Sequence, residues 1–158
     1  DMERIRQELE KLICYCMEKE SITEEDVAVI CSEQTENKIF DMINAMAEKK
    51  QKKAMELYYD LLALKEPPMR ILYLITRQFN LLMQVKELSE EGYSAKTISE
   101  RLKMAGFIVR NCLRQAEYFS LKTLKEALQD CVRMEEAVKT GRMNDVMSVE
   151  LLLVKYSS

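Results

Sequence analysis

The chain has 158 residues, with 24 Lys and Arg against 27 Asp and Glu, for a net charge of −3. Three glycines and two prolines lie far below the average usage of about 7 % and 5 %, which excludes collagen-like, turn-rich all-β and disordered classes. With 47 % hydrophobic and 32 % charged residues, this is the composition of a soluble helical protein, long enough to bury about 70 % of its unfolded surface without staples.

Helical periodicity runs through almost the whole length. Ile5, Leu9, Leu12, Ile13 and Cys16 form one apolar stripe and predict a helix from about 2 to 19. Thr23-Glu24-Glu25-Asp26 has the pattern of a capping box and opens a short helix through Val27 and Ile30. The polar run Ser32–Asn37 then predicts a connector, after which Ile39, Phe40, Ile43, Met46 and Ala47 begin a third helix. Ala54, Leu57, Tyr58, Leu61 and Leu62 mark a fourth.

Pro67-Pro68 ends that helix and can open the next at its first turn, where a missing N–H costs nothing. From 68 to about 89 the pattern is apolar on most of its girth, with a narrow polar stripe of Tyr73, Arg77, Asn80 and Gln84. Such a helix is central in a bundle or covered by a partner. Gly92 breaks the chain; Ser94 caps a short helix to about Met104, and Phe107 starts another to Tyr118. Ser120 caps a longer helix through Leu121, Leu124, Leu128, Cys131, Val132 and Val138. Lys139-Thr140-Gly141 has the form of a helix end, and Asn144 or Asp145 caps a last helix with Val149, Leu151, Leu152 and Val154. The prediction is an all-α bundle of about nine helices.

Charge divides the chain. Residues 1–34 hold 4 basic and 10 acidic side chains, a net of −6, and residues 35–158 hold 20 and 17, a net of +3. The polar run lies on that divide, which places a boundary there. Thirty-four residues of two amphipathic helices are too few for a domain, so the front piece is expected to be the tail of a larger one.

Several chemistries have no residues to carry them. Without histidine there is no imidazole base, no Ser–His or Cys–His pair and no His-ligated metal. Gly92, Gly106 and Gly141 lie too far apart to cradle a phosphate. The longest apolar run, Leu12–Met17, is six residues, where a membrane span needs about 20; no signal peptide opens the chain. Cys14, Cys16, Cys31, Cys112 and Cys131 contain no C-x-x-C, and Cys14 and Cys16 would point roughly 200° apart on a helix. They are expected to be reduced thiols packed as small apolar groups. Glu24-Glu25 and Glu135-Glu136 are adjacent on helices and so diverge by about 100°, unlike an acid/base pair.

Three features could bind a partner. Ser94–Gln115 has the outline of a helix-turn-helix, with Arg110, Asn111, Arg114 and Gln115 as its reading face. The competing reading docks Phe107, Ile108, Cys112 and Leu113 into a bundle and leaves the arginines in water; a net charge of −3 favours it over an autonomous DNA binder. Lys49-Lys50-Gln51-Lys52-Lys53 could meet phosphate, chiefly through Lys52 and Lys53, or simply be a solvated face. Lys139-Thr140-Gly141-Arg142 places two cations around an exposed turn, which helix capping alone accounts for.

Taken as a whole, the sequence resembles the C-terminal part of the delta subunit of bacterial DNA polymerase III, a component of the sliding-clamp loader. The resemblance rests on the order and spacing of Glu8-Leu9-Glu10-Lys11-Leu12, Ile22-Thr23-Glu24-Glu25-Asp26-Val27, Asn37-Lys38-Ile39-Phe40-Asp41, Glu66-Pro67-Pro68-Met69-Arg70-Ile71-Leu72, Arg77-Gln78-Phe79 and Lys139-Thr140-Gly141-Arg142. Two positions depart from the family pattern: Ala105-Gly106-Phe107 where relatives often carry a proline before the aromatic, and Glu135 where Asp is common.

The resemblance implies that residues 1–34 end a helical lid and that 35–158 form a helical collar. The first domain, which grips the clamp, would precede them. It further implies a non-catalytic subunit without cofactor or metal, cytoplasmic and nucleoid-associated. The partners implied are other clamp-loader subunits, the sliding clamp only through the missing first domain, and primer–template DNA in the full complex. Collar assembly requires apolar helix faces left for neighbours, and the interface candidates are Ile71, Leu74, Arg77, Gln78, Leu81, Leu151 and Leu152, with Arg110, Arg114, Lys52 and Lys53 as nucleic-acid contacts. The alternative is a helix-turn-helix DNA-binding regulator with a helical dimerisation region; a third reading is a helical adaptor without a nucleic-acid role.

Overall fold

The computed structural model describes the backbone of residues 24–158 and the side chains from residue 33 onward. Among the described residues there are seven helices and no strand: α1 Glu24–Ala47, α2 Gln51–Ala63, α3 Pro68–Glu90, α4 Ala95–Leu102, α5 Gly106–Ala116, α6 Leu121–Lys139 and α7 Asp145–Ser157. The difference from about nine has two sources. The expected helix over 2–19 lies outside the described residues. The expected connector at Ser32–Asn37 is helical, so α1 runs unbroken where two helices were expected.

Local chemistry sets the boundaries. Pro68 is the first residue of α3, with Pro67 extended before it. The Ser94 and Ser120 hydroxyls accept the Thr97 and Thr123 amides, and the Asn144 side chain accepts those of Val146 and Met147. At the far end of α6, Gly141 (φ 75°) donates to Val138 O and Arg142 to Ala137 O, a Schellman motif with glycine at C′. Gly92 (φ 98°) ends α3 the same way, donating to Ser89 O while Tyr93 donates to Leu88 O. With so few glycines, lysine takes the left-handed position elsewhere: Lys49 after α1, Lys65 after α2 and Lys103 after α4.

Helix α3 is the axis of the bundle. It packs against α1, α4, α5, α6 and α7, while α2 closes the remaining side against α1 and α7. Its buried face carries Ile71, Leu72, Leu74, Ile75, Phe79, Leu82 and Val85. Phe79 sits at the middle, edge-on to Phe119 at 5.9 Å and tilted to Tyr156 at 6.2 Å between ring centres. Truncating a ring so enclosed costs about 3–5 kcal/mol. The polar stripe emerges where periodicity placed it, with Tyr73, Arg77 and Asn80 exposed and Gln84 half-buried.

Candidate interaction cleft and terminal helix face

Helices α1 and α5 both lie on α3, and between them a cleft of about 500 Å³ opens to solvent. On α1 its lining comes from Glu33, Glu36, Asn37 and Phe40, spaced i, i+3, i+4, i+7 and so on one face. Leu74, Gln78 and Leu81 line it from α3, and Phe107, Ile108, Asn111 and Cys112 from α5.

One end is closed by a buried amide network. Gln115 of α5 donates to the Phe40 carbonyl at 3.1 Å and to Asn44 Oδ1 at 2.7 Å, while its own Oε1 accepts from Gln78 Nε2 at 3.0 Å. Both N–H donors and the carbonyl oxygen of a side chain only 2 % exposed are therefore engaged. Toward Glu33 and Phe107 the cleft is open. Arg77 bridges to Glu36 at 3.0 Å; both side chains are half in water, where such a pair contributes at most about 1 kcal/mol.

The structure sorts the sequence candidates by exposure. Leu74, Gln78, Leu81 and Arg77 all line the cleft. Leu74 is its buried floor, Gln78 and Leu81 are half-buried, and Arg77 is exposed. Ile71 and Leu152, by contrast, are completely buried in the chain's own core. They present no surface to a neighbour, because α3 packs against α1, α4, α5, α6 and α7, and α7 against α1, α2, α3 and α6. The long apolar girth of α3 is covered from within the chain.

Helix α7 does keep an apolar stripe outside. Met147, Leu151 and Val154, spaced i, i+4, i+7, are exposed together. Tyr59 of α2 is exposed as well and donates to Glu150 Oε2 at 3.3 Å, which places it beside the stripe. Of the residues expected at an interface on α7, Leu151 is therefore outside and Leu152 inside.

On its other side α7 is held by Asp130 of α6. The carboxylate accepts from Lys155 Nζ at 2.6 Å and from the Tyr156 hydroxyl at 2.5 Å, with Arg133 at 3.6 Å. Burial alone would raise the Asp130 carboxyl. The hydrogen bonds from Lys155 and Tyr156, with the charges of Lys155 and Arg133, outweigh it and hold the group below its ordinary range. Burial and that same carboxylate push the Tyr156 phenol up.

The basic candidates separate too. Arg110 and Arg114 are exposed on α5, as expected, and Arg114 donates to Asn111 Oδ1 at 3.0 Å. The helices α4 and α5 do follow one another around a short turn, but Gln115 points inward and cannot read a groove. Phe107, expected to dock α5 into the bundle, is 60 % exposed at the rim of the cleft, while Cys112 is buried. In the lysine cluster, Lys49 donates to the Tyr156 carbonyl at 3.3 Å and Lys50 pairs with Glu48 at 2.9 Å. Lys52 and Lys53 remain exposed.

Among the described residues no group of three or more acidic or thiol side chains is placed to hold a metal ion, and no helix is long and apolar enough to cross a membrane. Cys112 and Cys131 are free, buried thiols. Burial raises both, Cys131 to about 11 and Cys112 against a hydrogen bond from Gln78, so neither is a thiolate near neutral pH. Cys14 and Cys16 lie outside the described residues, as does the Cys31 side chain.

Sequence reasoning missed Gln115 as a structural residue, together with Thr35 and Lys38, which are buried although polar. Thr35 donates to Glu66 Oε1 at 3.3 Å and Lys38 pairs with Asp60 at 3.5 Å. The available signal was spacing: Thr35, Lys38, Ile39 and Met42 follow the helical repeat of the apolar face.

Comparison with known proteins agrees with this architecture. The family model for the DNA polymerase III delta subunit, C-terminal domain, matches residues 36–156. The DNA polymerase III subunit delta of Bacillus subtilis (strain 168) is 34 % identical over 151 residues, covering 96 % of this chain and 44 % of the relative. The solved Bacillus subtilis DNA clamp loader delta protein superimposes with a TM-score of 0.78 at 33 % identity, again over 96 % of this chain and 44 % of that one. The chain thus spans less than half the length of these relatives. Matched along nearly all its length in sequence and in the arrangement of its helices, the chain belongs to the DNA polymerase III delta subunit family, to which it corresponds as the C-terminal domain.

Proposed function

We propose that this chain is the assembly portion of a clamp-loader delta subunit: a non-catalytic helical collar that joins the other clamp-loader subunits in DNA replication. The observation that carries the reading is the family match over residues 36–156 of this chain, beside a solved relative described as a DNA clamp loader delta protein. Residues 1–34 end a lid and 35–158 form the collar, with the division falling inside the continuous helix α1 and not at a connector; a preceding domain contacts the sliding clamp. The apolar stripe Met147–Leu151–Val154 with Tyr59 supports an assembly role, since an exposed apolar patch of this kind marks an interaction surface. Arg110, Arg114, Lys52 and Lys53 stay available to primer–template DNA in the full complex. The site of action is the cytoplasm.

Gel filtration with light scattering, on the chain alone and mixed with the other clamp-loader subunits of its organism, tests this. Co-elution as a hetero-oligomer is expected. A chain that ignores those subunits overturns the reading, and a homodimer that shifts with duplex DNA in a strongly salt-dependent way replaces it with the regulator.

A further inference from the structure

Helix α1 crosses the divide between the acidic front of the chain and the rest without a break. It runs 24 residues, Glu24–Ala47, with no glycine or proline inside it, and at 1.5 Å per residue that is a rod of about 36 Å. Sharp kinks need proline, a Gly/Ser pair, a bulge or an inserted group. The two halves of α1 therefore share one axis, and what fixes the direction of the back half also aims the front half.

The back half is fixed by apolar packing, through the buried Ile39, Met42, Ile43 and Met46. Ahead of them on the same face stand two polar side chains, Thr35 and Lys38, only 5 % and 3 % exposed. Thr35 donates to Glu66 Oε1 at 3.3 Å, and Lys38 Nζ lies 3.5 Å from Asp60 Oδ2. Asp60 is in α2 and Glu66 in the corner that leads to Pro67, so one stretch of chain holds α1 at its first buried turn among the described side chains. Burying an ammonium group costs desolvation, which a carboxylate 47 % exposed offsets only in part. A methionine would fill the same space without that cost. What a buried charge does supply is register: it accepts one partner position where an apolar side chain accepts several.

We propose that Thr35 and Lys38 are positioning residues. With Glu66 and Asp60 they set the direction in which α1 leaves the collar, and α1 carries that direction into the lid as a rigid rod, so that lid and collar move as one body during clamp loading. The inference rests on the reading of residues 1–34 as the end of a lid and 35–158 as the collar.

The test measures one distance in the full delta chain, alone and assembled with its partner subunits. Nitroxide labels are carried by Glu25→p-acetylphenylalanine on α1 and Lys125→p-acetylphenylalanine on the exposed side of α6, and read by double electron–electron resonance. A single narrow distance is expected. Lys38→Met and Thr35→Val, alone and combined, are expected to broaden or shift it while the melting temperature is unchanged or raised, a pattern that a merely stabilising contact does not give. Glu33→Pro, at an exposed position, interrupts the rod through its backbone and not through packing. It is expected to broaden the distance and to lower clamp-loading turnover with partner binding retained. A broad distance in the unmodified chain overturns the proposal, as does an unchanged distance in the combined variant or a lowered melting temperature in Lys38→Met. Wild-type turnover in Glu33→Pro despite a broadened distance overturns the part of the rod in loading. Failure of the unmodified chain to join its partners overturns the assembly reading instead, and the distance in the chain alone still decides whether α1 is a rod.

Discussion

Gln115 donates a hydrogen bond to Asn44 Oδ1 at 2.7 Å, from α5 to α1 across the closed end of the cleft. The same amide ties both helices to α3 through Gln78. It fixes the separation of the cleft walls at one end, and so the shape of the surface at the other. Gln115→Leu keeps the volume but leaves Asn44 Oδ1 without its Gln115 donor and Gln78 Nε2 with only the weak bond to Cys112 Sγ. The expected cost is about 1–3 kcal/mol, the penalty for leaving buried polar groups unpaired. Urea denaturation measures it, and an unchanged midpoint would show that the network is relaxed by water.

That network also shows where a sequence stops being informative. The bundle and the boundaries set by Pro67-Pro68, Ser94, Ser120 and Gly141 were legible because periodicity and capping are local. Burial of a polar side chain is not local: Gln115 was placed on a reading face, and only the approach of α1 and α3 turns it inward. The same reason hid the continuity of α1. Ser32–Asn37 looks like a connector by composition, yet Thr35 and Lys38 occupy buried positions because Glu66 and Asp60 arrive from elsewhere in the chain. The cleft was half legible, since Arg77, Gln78 and Leu81 were marked but Phe107 was assigned to the core.

Asp130 gives the fold a calculable response to acid. Its carboxyl is held below the ordinary value of about 3.9 in the folded chain. A depressed group contributes stability that is present above the unfolded value and lost as pH falls through the folded one. Asp130→Asn keeps the shape and an acceptor for Tyr156 but removes the charge. At pH 7 it is expected to be less stable by about 1 kcal/mol, because the Tyr156 hydroxyl then bonds a neutral oxygen in place of a charged one, while Lys155 is half in water and adds little. The gap between wild type and variant should shrink below about pH 4. Thermal unfolding at pH 7, 5 and 3 tests this; a gap independent of pH would rule it out.

Lys65 and Gly92 occupy equivalent C′ positions after α2 and α3, both with positive φ. A side chain in that region costs about 1–2 kcal/mol, and glycine returns part of the gain through its freer unfolded state, about 0.5–1 kcal/mol. Lys65→Gly, at an exposed site, should therefore stabilise by up to about 1 kcal/mol. Gly92→Ala meets no atom within 4 Å, so its loss, about 1 kcal/mol, would be backbone strain alone. Opposite shifts in melting temperature are expected; shifts of the same sign would contradict the motif.

Leu151 and Leu152 are neighbours in sequence with opposite fates: the first is 43 % exposed and the second completely buried. Leu152→Asp places a charge in the core between α7 and its neighbours, where an unpaired carboxylate is intolerable, and loss of cooperative folding is expected. Leu151→Asp places the same charge in water, beside Met147 and Val154, and melting should move by less than about 0.5 kcal/mol equivalent. If α7 is an assembly surface, Leu151→Asp nonetheless weakens association with partner subunits, because it desolvates a carboxylate in an apolar contact. Circular dichroism melts and co-elution on the same two proteins separate these effects. A folded Leu151→Asp chain that binds its partners normally would remove the α7 stripe from the interface.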